Sequence, residues 1–164
     1  MEHLWTPWRF HYLQKGAAPD GECVFCRMVE APADQDPENL LLYRGPHAFI
    51  VLNRFPYTTG HLLIVTNRHV AKLTEAGDEE LTEIILEARR CQRVLEEVYS
   101  PEGFNVGFNL GRCAGAGVAG HLHLHVVPRW FGDSNFVAVL GQTRVIPETL
   151  ETTFQKLHPL LHNR

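Results

Sequence analysis

Short apolar runs rich in β-branched and aromatic residues recur along the chain and are separated by turn-forming residues. The first three are LLLYRG, AFIVLNRF and HLLIVTNR, and the breaks between them contain Gly-Pro or Pro-Tyr-Thr-Thr-Gly. Apolar runs of this length between proline and glycine are typical of strands joined by turns. FNVGFNLG and HLHLHVV have the same character further along. The pattern therefore predicts about five strands in an antiparallel sheet.

A long amphipathic helix is predicted by DEELTEIILEARRCQRVLEEVYS, because its apolar residues recur with a helical period. Acidic residues fill its first turn, where they interact favourably with the helix dipole. CVFCRMVEA predicts a short helix and PADQDPEN a loop, and NFVAVLGQTRVIPETLETTFQKLHPLL predicts a weak strand and then a helix that begins near Pro147. Since strands and helices do not alternate strictly, the predicted fold class is α+β.

The length of 164 residues suits one domain, which we expect to span residues 23–164. The segment HLWTPWRFHYL near the start is rich in aromatic residues, and such side chains need a surface to cover. We therefore expect residues 1–22 to form an aromatic arm that packs on the domain or on a partner subunit.

The charge balance limits the possible partners. The formal net charge is −4 at pH 7, and no basic stripe is visible that could release counterions from a polyanion. We therefore expect no nucleic-acid polymer as a partner. Neither a signal-peptide pattern nor a long apolar run is visible, so we expect a cytoplasmic protein that does not enter a membrane.

Three histidines alternate with apolar residues in the stretch AGHLHLHVVPR. Side chains two positions apart on a strand project to the same face, so His121, His123 and His125 are predicted to share one face. A single histidine on a strand is ordinarily a structural residue. Three neighbouring imidazoles cannot all be buried without partners and would repel one another when protonated. The pattern therefore favours an anion or a metal ion at this face.

The glycine loop, residues 111–120, leads directly into the histidine strand. Its sequence GRCAGAGVAG contains four glycines, which allow backbone amides to approach a ligand closely and bind phosphate without a charged side chain. Alone, such a loop is more often a flexible connection. Beside three histidines, it favours an anion site.

The four cysteines lie at positions 23, 26, 91 and 113. Cys23 and Cys26 form a C-x-x-C pair, which is typical either of a metal site or of a redox site. The redox interpretation lacks the expected strand-helix-strand setting, so we favour zinc. Cys91 falls within the predicted long helix and is interpreted as a small buried residue.

The string His121-Leu-His123-Leu-His125-Val-Val is similar to the signature of the histidine triad (HIT) superfamily. The order of C-x-x-C, VLNRFPYTTGHLLIVTNRHV, long helix, glycine loop and triad also matches that superfamily. HVVPRWFGDSNF, VIPE and LWTPWR resemble the bacterial branch that has diadenosine tetraphosphate phosphorylase activity. The resemblance implies a HIT-like fold and a nucleotide or dinucleoside polyphosphate as substrate, cleaved at the α-phosphate.

By resemblance, His123 is the nucleophile that forms a nucleotidyl intermediate, and His125 donates to oxygens around the reacting phosphorus. The same comparison places Asn53 on the ribose and Asn109 near the phosphates, although both could equally be turn or strand-end residues. Trp130 is expected to help shape the pocket. The backbone amides of four loop residues are expected to hold the phosphates: Gly115, Ala116, Gly117 and Val118. Many family members have Gly-Gln-Ser or Gly-Gln-Thr here, so in this chain the amides carry more of that role.

The resemblance also implies a structural zinc held by Cys23, Cys26, His69 and His121, with His61 as a less favoured replacement for His69. A homodimer is implied, in which the long helix and the FNVGFNLG strand meet their symmetry mates. The apolar helix face could equally be part of the core of one subunit.

Several alternatives stay open. Water as the acceptor would make the protein a hydrolase, either of dinucleoside polyphosphates or of nucleoside phosphoramidates. The three histidines could instead bind one catalytic zinc with a water as the fourth ligand. The triad could also bind a nucleotide without turnover, which would make the protein a nucleotide-binding regulator.

Overall fold

The computed structural model of this chain describes residues 23–133 and 146–162. The expected aromatic arm, residues 1–22, and most of the expected weak strand lie outside the described residues. None of the helices within them is both long enough and apolar enough to span a bilayer.

Five strands and four α-helices make up the described fold. In chain order they are α1 Val24–Glu30, α2 Asp36–Asn39, β1 Leu41–Arg44, β2 Ala48–Leu52, β3 Leu62–Thr66, α3 Asp78–Tyr99, β4 Gly103–Phe108, β5 His123–Arg129 and α4 Leu150–His162. Short 3₁₀ turns cover Ala33–Gln35 and Arg112–Ala114. The α+β class, the antiparallel sheet, the long helix and the C-terminal helix are as predicted.

The sheet has the order β1-β2-β3-β5-β4, and every neighbouring pair is antiparallel. Strand β5 lies between β3 and β4, so its triad residues are next to one or both of these strands. His123 is opposite Val65 of β3, while His125 is opposite Leu63 of β3 and Gly107 of β4. His121 precedes the strand rather than lying within it.

The segment PADQDPEN forms a 3₁₀ turn and the short helix α2, whereas the sequence pattern predicted a loop. Pro37 is at the start of α2, where its fixed φ angle favours a helix and its missing N–H group is not needed. Leu40 then ends the helix in a left-handed conformation, with φ of 59°. The prediction was wrong because proline was taken only as a helix breaker.

The core lies between the sheet and the helices. Helix α3 packs on β3 and β5, and α4 packs on α3 and β1. The buried face of α3 includes Cys91, which is fully buried as expected. Burial raises the pKa of the Cys91 thiol well above its ordinary value. This side chain is therefore a packing residue.

Arg44 of β1 fixes the carboxyl end of α1 to the sheet. Its guanidinium forms a two-pronged hydrogen bond with Asp36 and also donates to three carbonyl groups at the end of that helix. These carbonyls belong to Met28, Val29 and Ala31. Asp36 is only 7% exposed, so Arg44 is the cation that compensates its carboxylate in this buried position.

We expect Arg44→Met to lower the free energy of unfolding by about 3 kcal/mol, because it leaves the Asp36 carboxylate buried without its cation and exposes three carbonyls without a donor. Urea denaturation at neutral pH measures this loss. The exposed Arg93 of α3 supplies the control, since Arg93→Met should change stability by less than about 0.5 kcal/mol. Equal effects of the two substitutions would contradict the role assigned to Arg44.

Candidate active site and metal centre

The three triad histidines lie close together but in different surroundings. His121 is 1% exposed and His123 is 5% exposed, whereas His125 is only half-buried. The rings of His123 and His125 have centroids 5.1 Å apart. Burial lowers the pKa of all three, so their imidazoles are neutral at physiological pH. A neutral imidazole has one donor and one acceptor nitrogen, and the hydrogen-bond partners determine which is which.

His123 is held with one nitrogen towards the backbone. Its Nδ1 is 2.7 Å from the carbonyl oxygen of His121, and only a protonated Nδ1 can donate to that oxygen. The neutral ring therefore has its lone pair on Nε2. This is the state that a nucleophilic imidazole requires.

His125 is linked to His61, which directly precedes β3. His61 Nε2 is 3.0 Å from His125 Nδ1. The other nitrogen of His61, Nδ1, accepts from the Tyr57 backbone N–H at 3.1 Å and lies 3.3 Å from the Asn53 amide nitrogen. His61 Nε2 therefore bears the proton and donates a hydrogen bond to His125 Nδ1, so the neutral His125 has its own proton on Nε2.

Burial of the ring, together with the neighbouring His123, lowers the pKa of His125 to about 4. Its Nε2–H is thus a neutral donor, and the Nε2 atom lies 3.5 Å from the side-chain nitrogen of Asn109, which is also a donor and so does not accept from it. The ring of Tyr57 lies parallel to that of His125, with centroids 6.0 Å apart. The site therefore presents an acceptor nitrogen on His123 beside a donor nitrogen on His125.

The contact between His61 and His125 was missed from the sequence, which offered His61 only as a substitute metal ligand. The structure places the His61 ring beside His125, and His61 does not belong to the group of metal-ligating side chains around Cys23 and Cys26. Antiparallel pairing of β3 with β5 could have suggested the contact, because it places Leu62, which follows His61, opposite Val126, which follows His125.

A second group of side chains forms what we call the Cys/His cluster: Cys23, Cys26, His69 and His121. Their ligand atoms all lie within 4.8 Å of one another. Cys23 Sγ is 3.3 Å from His121 Nδ1, and Cys26 Sγ is 3.2 Å from His69 Nδ1. Two thiols and two imidazoles at such separations fit a tetrahedral metal site.

The surroundings of the Cys/His cluster also suit a metal. His121 Nε2–H donates to the Thr66 carbonyl at 2.8 Å, which leaves Nδ1 unprotonated and directed towards the cysteines. Burial, and to a smaller extent the hydrogen bond with Cys23, raises the pKa of Cys26 to about 11. A metal must therefore displace the thiol proton of Cys26 when it binds. His69 is exposed, and the cluster therefore opens to solvent on that side.

The described residues do not bring the three triad histidines together as a single metal site. The Cys/His cluster is the one group of metal-ligating side chains found among them. His121 belongs to that group, whereas His123 donates to a carbonyl and His125 accepts from His61. These contacts give no support to one catalytic zinc held by all three histidines.

The two candidate asparagines lie at the edge of the triad. Asn53 follows β2, and its side-chain oxygen accepts from the Phe55 backbone N–H at 2.9 Å while its nitrogen faces His61. Asn109 follows β4 and lies beside His125. Trp130 follows β5, is half-buried, and donates its backbone N–H to Asp133. Asn109 and Trp130 thus adjoin the histidine strand, whereas Asn53 is linked to it through His61.

The glycine loop uses part of its amide groups internally. The N–H of Gly115 donates to Arg112, and that of Ala116 donates to Gly111. No acceptor within the described part of the chain is found for the N–H groups of Gly117 and Val118. Of the four amides predicted from the sequence to bind phosphate, these two are therefore the ones available to an anion without rearrangement of the loop.

Comparison with known proteins places this geometry in a family. The HIT domain model matches residues 35–132. The AP-4-A phosphorylase of Mycobacterium tuberculosis is 41% identical over 157 residues, which cover 93% of this chain and 80% of that protein. A HIT-like protein of Mycoplasma pneumoniae is 31% identical over 118 residues, which cover 72% of this chain and 78% of that protein.

The solved structures agree with the sequence matches. A zinc-bound histidine triad family protein from Mycobacterium smegmatis superposes with a TM-score of 0.67 at 29% identity, covering 85% of this chain and 93% of that chain. The family resemblance inferred from the triad string is thereby confirmed. From the extent of the model match and the identity to the M. tuberculosis protein, this chain belongs to the HIT domain family.

Proposed function

We propose that this protein is a nucleotide-binding enzyme that cleaves diadenosine tetraphosphate at the α-phosphate, with orthophosphate as the acceptor. The observation that carries the proposal is the hydrogen bond from His123 Nδ1 to the His121 carbonyl, because it leaves the Nε2 lone pair free to attack phosphorus. The identity of 41% to the M. tuberculosis AP-4-A phosphorylase supports this choice of substrate and acceptor.

In the first step, His123 Nε2 attacks the α-phosphorus in line. A P–N bond forms while the P–O bond to the leaving ATP breaks, and the product on the enzyme is an adenylyl group on His123. His125 Nε2–H donates a hydrogen bond to the oxygen between the α-phosphate and the leaving ATP, where negative charge develops. The link to His61 keeps the proton on that nitrogen.

In the second step, an oxygen of orthophosphate attacks the same phosphorus. A new P–O bond forms while the P–N bond breaks, which releases ADP and restores the neutral His123 ring. The overall products are therefore ATP and ADP. Water in place of orthophosphate would give ATP and AMP.

We propose substrate contacts from the residues around the triad. The amides of Gly117 and Val118 bind phosphate oxygens, and the internally bonded amides of Gly115 and Ala116 hold the loop in shape. Asn109 binds the phosphates beside His125. Asn53 binds the ribose on its remaining hydrogen-bonding capacity, and Trp130 lines the nucleotide pocket.

We also propose that the Cys/His cluster binds a structural zinc ion. Two cysteines and two histidines are a common ligand set for structural zinc. The cluster distances and the Thr66 carbonyl behind His121 support this choice. The zinc would hold the start of α1 against His121, which lies just before β5.

A homodimer is proposed from the surface left by one chain. Strand β4 lies at the end of the sheet, and Val106 on it is 50% exposed. On helix α3, Ile85 is 58% exposed and Leu86 is 43% exposed. A second copy of the chain would cover these apolar side chains.

Identification of the products of diadenosine tetraphosphate tests the proposed reaction. We expect ATP and ADP in the presence of orthophosphate and little turnover without it, measured by chromatography of the nucleotides. His123→Asn removes the attacking nitrogen and should lower turnover by at least about a thousandfold. Formation of ATP and AMP with or without orthophosphate would instead identify a hydrolase. Binding of AMP without any turnover would identify a regulator.

Metal analysis tests the zinc proposal. We expect about one zinc per chain in the wild-type protein and none in Cys23→Ser, because three ligands hold the ion far more weakly than four. Cys113→Ser is the matched control, since Cys113 is exposed and outside the Cys/His cluster, and it should retain the metal. Full zinc occupancy in Cys23→Ser would refute the proposed ligand set.

The neutral state of His125 predicts a dependence of stability on pH. Because its pKa falls to about 4 on folding from an ordinary 6.5, the unfolded chain binds more protons between these values, and stability is lost as pH falls through this window. His125→Gln should reduce the loss between pH 7 and pH 5 by about 1 kcal/mol, allowing for solvent screening at this half-buried ring. Urea denaturation at pH 7 and at pH 5 measures this loss of unfolding free energy. The control is His162→Gln at an exposed position, which should leave the loss unchanged. An unchanged loss in His125→Gln would contradict a neutral His125.

A further inference from the structure

Phe25 lies in the sequence between the two cysteines of the Cys/His cluster and in space against the triad. It belongs to α1, and its side chain is 5% exposed. Its ring centroid is 5.4 Å from that of His121 and 5.3 Å from that of His123. One ring thus contacts both a candidate metal ligand and the candidate nucleophile.

We propose that Phe25 is a positioning residue for His123, and that metal binding in the Cys/His cluster fixes the orientation of the His123 ring through it. The proposal rests on the assignment of His123 as the nucleophile under the proposed function. It assigns to the cluster an effect on the reacting group in addition to its effect on stability.

Two contacts of the His123 ring lead towards the Cys/His cluster, one through His121, which belongs to it, and one through Phe25, which lies between its two cysteines in the sequence. The Nδ1–H donates to the carbonyl of His121, whose own ring faces Cys23 and Cys26. The His123 ring also packs against Phe25, with the two ring planes inclined at 50°. Rotation of the His123 ring would break the hydrogen bond and would require Phe25 to move.

The anchoring of α1 explains why a metal would matter. A helix of seven residues is not stable alone and depends on its contacts with the rest of the domain. Arg44 holds its carboxyl end through three carbonyls. Its amino end begins after Cys23, and no side chain caps the free amides there.

The Cys/His cluster is therefore the attachment of the amino end of α1. With a metal bound, Cys23 and Cys26 are both tied to His121, and Phe25 between them is held on the His123 ring. Without a metal, these thiols and imidazoles make only weak hydrogen bonds, and the amino end of α1 can separate from the triad. The expected consequence is a His123 ring that samples several rotamers, so that the attacking nitrogen is no longer kept in place.

The test compares two substitutions in α1. Phe25→Leu removes the aromatic ring, while Met28→Leu changes a side chain on the same helix that is equally buried, at 6% exposure. Neither residue is a cluster ligand, so zinc content should stay at the wild-type level in both. The first readout is the ¹⁵N NMR signal of the His123 Nδ1–H, which is visible only while the proton is held in a stable hydrogen bond.

For the wild-type protein with zinc and for Met28→Leu, we expect a sharp His123 N–H signal. In zinc-loaded Phe25→Leu and in wild-type protein stripped of zinc, we expect this signal to be lost. The single-turnover rate of adenylyl transfer to His123 should fall on the order of tenfold in the same two samples, while the dissociation constant for AMP should change by less than about twofold.

A His123 signal that survives in Phe25→Leu would overturn the role of Phe25, and one that survives zinc removal would overturn the role of the metal. If Phe25→Leu and Met28→Leu lost the His123 signal equally, the effect would come from the general packing of α1. This outcome would also overturn the proposal. If the wild-type protein shows no adenylyl transfer, the proposed function fails, but the NMR comparison still decides whether Phe25 positions His123.

Discussion

The burial of several uncharged imidazoles is the constraint from which the rest of the site follows. A buried neutral histidine has one donor and one acceptor nitrogen, and leaving the donor unpaired in the interior is costly. His121 and His123 each donate to a backbone carbonyl, and His125 accepts from His61. Each partner fixes one tautomer, so three chemically identical rings present different atoms. His121 directs an acceptor nitrogen towards two thiols, His123 keeps a lone pair on Nε2, and His125 presents a donor nitrogen.

The sheet order supplies these partners. Because β5 lies between β3 and β4, His125 is beside the start of β3, where His61 is, and beside the end of β4, where Asn109 follows. The turn before β3 contributes a backbone N–H that fixes the tautomer of His61. The Thr66 carbonyl that fixes the tautomer of His121 lies in β3, and the His121 carbonyl that fixes the tautomer of His123 lies just before β5. The fold thus determines which ring nitrogen of each histidine carries the proton.

Much of this arrangement could be predicted from the sequence, and the exceptions have physical reasons. Strand and helix positions follow from local periodicity, and the four members of the Cys/His cluster followed from the family resemblance and lie together in the structure. The partnership of His61 with His125 depends on β3 pairing with a strand that is distant in sequence, which local patterns do not reveal. The internal hydrogen bonds of Gly115 and Ala116 depend on positive φ angles at Gly111 and Gly115, which glycine permits but does not dictate.

The exposure of His69 has a kinetic consequence for any metal in the Cys/His cluster. Its three companions are wholly or partly buried, whereas this ring is in contact with solvent. An incoming chelator or thiol would reach the ion from that side and displace His69 first, without any opening of the core. Tight binding at equilibrium would then coexist with rapid exchange of the ion. The affinity of such a site for its metal and the rate at which it exchanges that metal are separate properties. Here the exposed position of His69 affects the exchange rate.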